Sequence, residues 1–190
     1  MTGPAPAPAV GTPWQIRPAE PNGADLERVV RWMAQPHIED FWQQAWSADR
    51  WAKEIAMQRA GGHSLPCLVF QGGTALAYLE VYRARRDRIS ALYPAAEHDL
   101  GVHVAIGEVG NTGRGVGRAL LRAIAEGLLA ADPACRRVVA EPDVRNVASL
   151  RAFTAAGFQR CGELTLPEKT AALLVRPRTG HDLPRWRAAR

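Results

Sequence analysis

Between Asp99 and Ile106 the chain alternates strictly: Leu100, Val102, Val104 and Ile106 fall on one face, and Asp99, Gly101, His103 and Ala105 on the other. Strand side chains point to opposite faces in turn, so this segment predicts a half-buried strand that carries His103 away from its apolar side. Val116, Leu120, Ala123, Ile124 and Leu128 then recur at helical spacing until Asp132-Pro133, and Arg137 to Glu141 reads as a short strand stopped by Pro142. The unit is strand, Gly-rich loop, helix, parallel strand. Upstream, a short strand at Trp14 to Arg17 precedes Leu26, Val29, Val30 and Met33 at helical spacing, with Asn22 or Asp25 as caps and Gln35-Pro36 as the stop. Ser47 is an N-cap for a second helix from Arg50 to Arg59, ended by Gly61-Gly62. Leu65 to Gln71 and Ala75 to Tyr82, separated by Gly72-Gly73-Thr74, predict a hairpin. Asn146 caps a further helix through Leu150 and Phe153 to Gly157, and Phe158 to Leu164 with Ala171 to Val175 complete an antiparallel edge.

Composition narrows what such an α/β chain can be. With 190 residues, 47% hydrophobic and 23% charged, it suits one globular domain that needs no disulfide or metal staple. Residues 1–12, rich in Pro, Ala and Gly, are expected to be a disordered leader, residues 13–177 the domain, and residues 178–190 a basic tail. Cys67, Cys135 and Cys161 are odd in number and widely spaced, which argues against a disulfide framework and a zinc site. The cytoplasm fits best. His98 and His103 lack a third ligand, so no metal is expected. No apolar run approaches the roughly 20 residues of a membrane helix. The net charge of +5 gathers towards the C-terminus without aromatic-plus-basic motifs, which disfavours nucleic acid.

The sharpest chemical feature is Thr112-Gly113-Arg114-Gly115-Val116-Gly117, which follows a strand and opens a helix. Glycines let backbone approach a ligand, and the free N–H groups of a helix N-terminus favour an anion such as a diphosphate. It lacks the Gly-Lys-Ser/Thr ending of a nucleotide-triphosphate loop. About thirty residues on comes Asn146-Val147-Ala148-Ser149-Leu150-Arg151-Ala152-Phe153 and then Gly157-Phe158. Together these segments resemble the signature of the GCN5-related (GNAT) N-acyltransferases, in order and separation, within a match running from Trp14 to Val175.

The resemblance implies a mixed, mostly antiparallel sheet of about seven strands, with a splayed central parallel pair and about four flanking helices. It implies acetyl-CoA or another acyl-CoA as donor. Thr112, Gly113, Arg114, Gly115, Val116, Gly117 and Asn146 map to its cofactor-binding positions, with Ile106 and Phe153 alongside. Thr112 stands where Gln or Arg is usual. Phe153 stands where many members carry a Tyr that protonates the leaving thiolate, and Phe has no proton to give.

Asp99 to Ile106 and Glu141-Pro142-Asp143-Val144-Arg145-Asn146, with His37 to Trp42 and Tyr78 to Tyr82, look like the siderophore-biosynthesis branch of that superfamily. The implied acceptor is the side-chain amine or hydroxylamine of lysine, N6-hydroxylysine or a related diamine, handled by a monomer or homodimer. His103 and Asp143 map to its acceptor site, so His103 is expected as base or positioning group with Asp143 as its partner. Trp42, Glu80, Tyr82 and Asp99 are the expected substrate contacts. A protonated amine cannot attack a thioester, and an imidazole with a pKa near 6.5 suits proton removal at neutral pH. Two rival readings are an aminoglycoside N-acetyltransferase using Asp99, Glu108 and Asp143, and a non-catalytic acyl-CoA-binding module.

Overall fold

The computed structural model describes residues 2–108, 110 and 115–184. Its elements run β1 (Trp14–Pro18), α1 (Gly23–Met33), α2 (Pro36–Trp42), α3 (Ala48–Gly61), β2 (Ser64–Gln71), β3 (Thr74–Arg83), β4 (Leu100–Ile106), α4 (Val116–Ala131), β5 (Arg137–Ala140), α5 (Val147–Ala155), β6 (Gln159–Thr165) and β7 (Thr170–Pro177). The expected caps govern two of the helices. Ser47 accepts the Arg50 N–H at the start of α3, and Asn146 Oδ1 accepts the Ser149 N–H, 3.0 Å away, at the start of α5. Gly72 and Gly73, at φ +56° and +81°, close the β2–β3 hairpin in a backbone region that favours glycine. Among the described residues there are five α-helices rather than about four, because Pro36 does not only end α1. It opens α2 from the first turn, where a missing N–H costs nothing.

The strands form one sheet in the order β1-β2-β3-β4-β5-β7-β6, antiparallel throughout except for β4 and β5. β4 pairs with β3 along its full length, from Leu100 opposite Arg83 to Ile106 opposite Ala77. Its parallel register with β5 holds only at Leu100 with Val138 and Gly101 with Val139. Beyond Gly101 the two strands part, and the rest of β4 presents an edge unpaired on that side. This is the splay that the family resemblance implied.

On one face of the sheet Leu120, Leu121, Ile124 and Leu128 of α4 pack on Leu79, Leu100, Val102 and Val138. On the other, Trp32, Trp51 and Ile55 from α1 and α3 cover Leu68, Tyr78 and Ala105. A third cluster, built from Tyr82, Ile89, Leu164 and Leu173, fills that same side farther along. Gly101 lies opposite Tyr82 in the register, and a Cβ there would stand 2.0 Å from the Tyr82 ring. Gly101→Ala is therefore expected to lower stability by about 1–3 kcal/mol through overpacking, read as a fall in melting temperature.

The leader expected to be disordered is instead laid on the domain. The Ala5 N–H bonds the Gly62 carbonyl, and the Ala9 N–H bonds the Gly127 carbonyl, each at 3.1 Å. Arg83, buried at 5% exposure, donates through Nε to the Gly3 carbonyl and through Nη2 to the Pro4 carbonyl. These buried donors make order cheaper than composition suggests. The tail is likewise held where it is described: Arg178 donates to the Leu129, Asp132 and Cys135 carbonyls. Among the described residues no helix is long and apolar enough to cross a membrane.

Candidate active site

Tyr78, Glu80 and Tyr82 occupy alternate positions of β3 and so share one face of the sheet. Register places Glu80 directly opposite His103 of β4. The His103 Nδ1 lies 3.0 Å from Glu80 Oε2, and its Nε2 lies 2.5 Å from Oε1 of Glu141, the residue that follows β5. One imidazole thus ties β3, β4 and the end of β5 together just where the β4–β5 ladder stops.

A carboxylate can only accept, so both ring nitrogens of His103 donate and the ring is an imidazolium. Burial opposes that charge, but the Glu141 charge and hydrogen bond, joined by Glu80, raise the His103 pKa to about 10. Burial likewise works against the Glu141 carboxylate, yet His103 brings its pKa down to about 2. Glu80 is also lowered, by the His103 bond and charge acting against burial. The other oxygen of each carboxylate is engaged as well. Tyr78 Oη at 3.1 Å and Gln58 Nε2 at 3.0 Å donate to Glu80 Oε1, and Tyr82 Oη at 2.6 Å donates to Glu141 Oε2. Two carboxylates and one imidazolium leave the cluster with one net negative charge.

The cluster floors a cavity of about 290 Å³ between the α1–α3 layer and the segment after β5. Trp42 from the end of α2 walls it, with its ring edge-on to His103 at a centroid distance of 5.9 Å. Asp143, Asn146 and Phe153 line the opposite side. The structure therefore brings His103, Glu80, Trp42, Asp143, Asn146 and Phe153 together. Tyr82 stands behind His103, ring to ring at 4.8 Å, and reaches the site through Glu141.

Three expectations need correction. Asp143 is not bonded to His103; both its oxygens accept from Arg145, and that partner, acting against burial, holds its pKa below the ordinary value. His103 carries no free lone pair with which to act as a base. Asp99 does not line the cavity but is fully buried against Arg137, with Nη2 at 2.7 Å, and also accepts from Tyr93 and the Ala96 N–H.

At the cofactor positions, Gly115 caps α4 at φ +79°, Val116 opens that helix, and Gly117 packs beside Ile106. Thr112, Gly113 and Arg114 lie outside the described residues. Phe153 packs against Phe158 at 4.9 Å. Sequence reasoning missed Glu141, Gln58 and Tyr78 as members of the site. Glu141 carried one usable signal: it sits at the carboxyl end of a parallel strand, where open α/β sheets bind ligands.

Comparison with known proteins agrees with this fold. Residues 22–166 match the family model described as an acetyltransferase (GNAT) domain. The chain is 35% identical over 179 residues to a lysine N-acyltransferase, MbtK, of Mycobacterium sp. strain MCS, covering 94% of this chain and 73% of that one. It is 33% identical over 149 residues to an N-hydroxyputrescine acetyltransferase of Acinetobacter baumannii, covering 78% of this chain and 71% of the relative. In structure it resembles the aminoglycoside acetyltransferase AAC(6')-Ib in complex with coenzyme A, with a TM-score of 0.76 over 87% of this chain and 95% of that one at 22% identity.

Proposed function

Because the chain belongs to the family of GNAT acetyltransferase domains, we propose that it transfers an acyl group from acyl-CoA to the side-chain nitrogen of lysine, N6-hydroxylysine or a related diamine in hydroxamate siderophore biosynthesis. The observation that carries this reading is the Glu80–His103–Glu141 chain, set at the fork of β4 and β5 and facing an acid-lined cavity. The names of the lysine and N-hydroxyputrescine relatives support the acceptor class.

The residues present fit the donor. The unpaired edge of β4 beyond Gly101 offers backbone groups to an extended arm, and the α4 N-terminus beginning at Val116 offers N–H groups to a diphosphate. Asn146 Oδ1 is engaged in capping α5, which leaves its side-chain amide N–H groups to donate towards the cavity. When bound, acyl-CoA supplies the thioester that is broken.

Glu54 and the net negative Glu80–His103–Glu141 cluster favour a cationic acceptor in the cavity, and the open lone pairs of these carboxylates orient its nitrogen. That nitrogen attacks only when neutral, a state a hydroxylamine already holds near pH 7 and an alkylammonium reaches at higher pH. The His103 imidazolium, bonded through both nitrogens, holds the Glu80 and Glu141 carboxylates in place to receive that nitrogen. A proton lost from nitrogen passes to water in the cavity. Phe153 has no proton to give a departing thiolate, and an ordinary thiol pKa near 8.5 would let it leave unprotonated.

The test is thiol release from acetyl-, succinyl- and longer acyl-CoA with lysine, N6-hydroxylysine, N-hydroxycadaverine and kanamycin offered separately. Turnover with the lysine-like acceptors and none with kanamycin is expected. Turnover with kanamycin alone would replace this reading with the aminoglycoside one, and binding of acyl-CoA without any turnover would make the chain a binding module.

A further inference from the structure

The turn between β6 and β7 reaches over the cavity, and its position is fixed from three sides. Leu166 and Lys169 exchange backbone hydrogen bonds, at 2.9 Å and 3.3 Å, to form a tight turn. Arg88 clamps Glu168 with two donors. The start of β7 is stitched to the segment after Glu141, the Val144 N–H reaching the Thr170 carbonyl and the Ala172 N–H reaching the Pro142 carbonyl, both at 2.9 Å.

Lys169 therefore stands, half-buried, on the cavity wall. The carboxylates around it are committed elsewhere: Glu168 to Arg88, Asp143 to Arg145, and Glu141 to His103 and Tyr82. Among the described residues none lies within ion-pairing reach of the Lys169 ammonium, although its charge is felt at Glu141, Asp143 and Glu168, each of which it helps to keep ionised. The cavity thus carries acids on its floor and an uncommitted cation on its wall. A ligand complementary to both has an amine or hydroxylamine at one end and an anion at the other. A diamine, with positive charge at both ends, meets repulsion at Lys169.

We propose that Lys169 receives the carboxylate of the acceptor, so that the chain selects an amino acid such as N6-hydroxylysine over its decarboxylated diamine counterpart. Family membership leaves this choice open, since the relatives include a lysine and an N-hydroxyputrescine enzyme. The inference rests on the acyltransfer function proposed above and adds the half of the acceptor that does not react. An ammonium–carboxylate contact in a partly enclosed site contributes mainly to acceptor binding.

The experiment compares kcat/KM for N6-hydroxylysine and N-hydroxycadaverine, which differ only by the carboxylate, in the wild type, Lys169→Met and Lys169→Arg, with acetyl-CoA as donor. The wild type is expected to prefer N6-hydroxylysine. Lys169→Met should lower kcat/KM for N6-hydroxylysine by about 10- to 100-fold, mostly through KM, and should not lower that for N-hydroxycadaverine, whose repulsion by Lys169 it relieves. Lys169→Arg should recover part of the loss. Equal losses on both acceptors, no loss on either, or a change confined to the KM of acetyl-CoA would overturn the assignment. Turnover of neither acceptor by the wild type would instead overturn the acyltransfer reading itself, and this inference with it.

Discussion

His103→Gln is expected to lower kcat/KM by about 10²-fold, the cost of a misplacement of about 1 Å among the groups that position the reacting nitrogen. The substitution keeps a polar side chain of similar reach but takes away the positive charge between Glu80 and Glu141. Two carboxylates would then face each other without a cation, so the loss should fall on kcat as well as on KM. Stability should fall too. Breaking a buried pair costs about 3–5 kcal/mol, and the one-third exposure of the His103 side chain reduces that to about 1–3 kcal/mol.

The pH dependence has a definite sign. The folded pKa of His103, about 10, lies above its unfolded value of 6.5. Its contribution to stability is therefore complete below about pH 6.5 and is lost as pH rises towards 10. The gap in melting temperature between wild type and His103→Gln should be wide at pH 7 and should narrow as pH approaches 10. Melting curves across that range check it. A gap that widened with pH would mean that His103 is held neutral in the folded chain.

Asp99→Ala is expected to be the most destabilising single change considered, at about 3–5 kcal/mol, because it strands the Arg137 guanidinium at 7% exposure beside an emptied site. It also removes the acceptor for Tyr93 and for the Ala96 N–H. Chemical denaturation reads this as a lower midpoint at unchanged slope. The enzyme that remains folded should keep its acceptor KM, since Asp99 lies away from the cavity. A variant of normal stability with a raised acceptor KM would restore the substrate role that the sequence suggested.

Asp99 shows where sequence reading reaches its limit. Period-two alternation placed β4 and the facing of His103 correctly, and the caps Ser47 and Asn146 fell where hydroxyl and amide chemistry required. These are local signals, written within a few residues of what they control. The partner of His103 was not local. Glu80 faces it across a strand register and Glu141 across a parallel pair, 23 and 38 positions away in the numbering. Asp143, two residues past Glu141, shared the motif, but its carboxylate turns back to Arg145. The leader failed for a related reason: composition describes what a segment can bury by itself and says nothing of a buried arginine elsewhere in need of acceptors.

That arginine matters to anyone preparing the protein. A Pro-Ala stretch at the front of a chain invites trimming before crystallisation, or replacement by a purification tag and linker. Here the carbonyls of Gly3 and Pro4 complete the solvation of Arg83, whose third nitrogen is bound to Asp132 at the end of α4. Cutting back to the first strand would leave two guanidinium nitrogens under the sheet without acceptors. The residues that look most expendable on paper are part of what lets a charged side chain sit inside the fold.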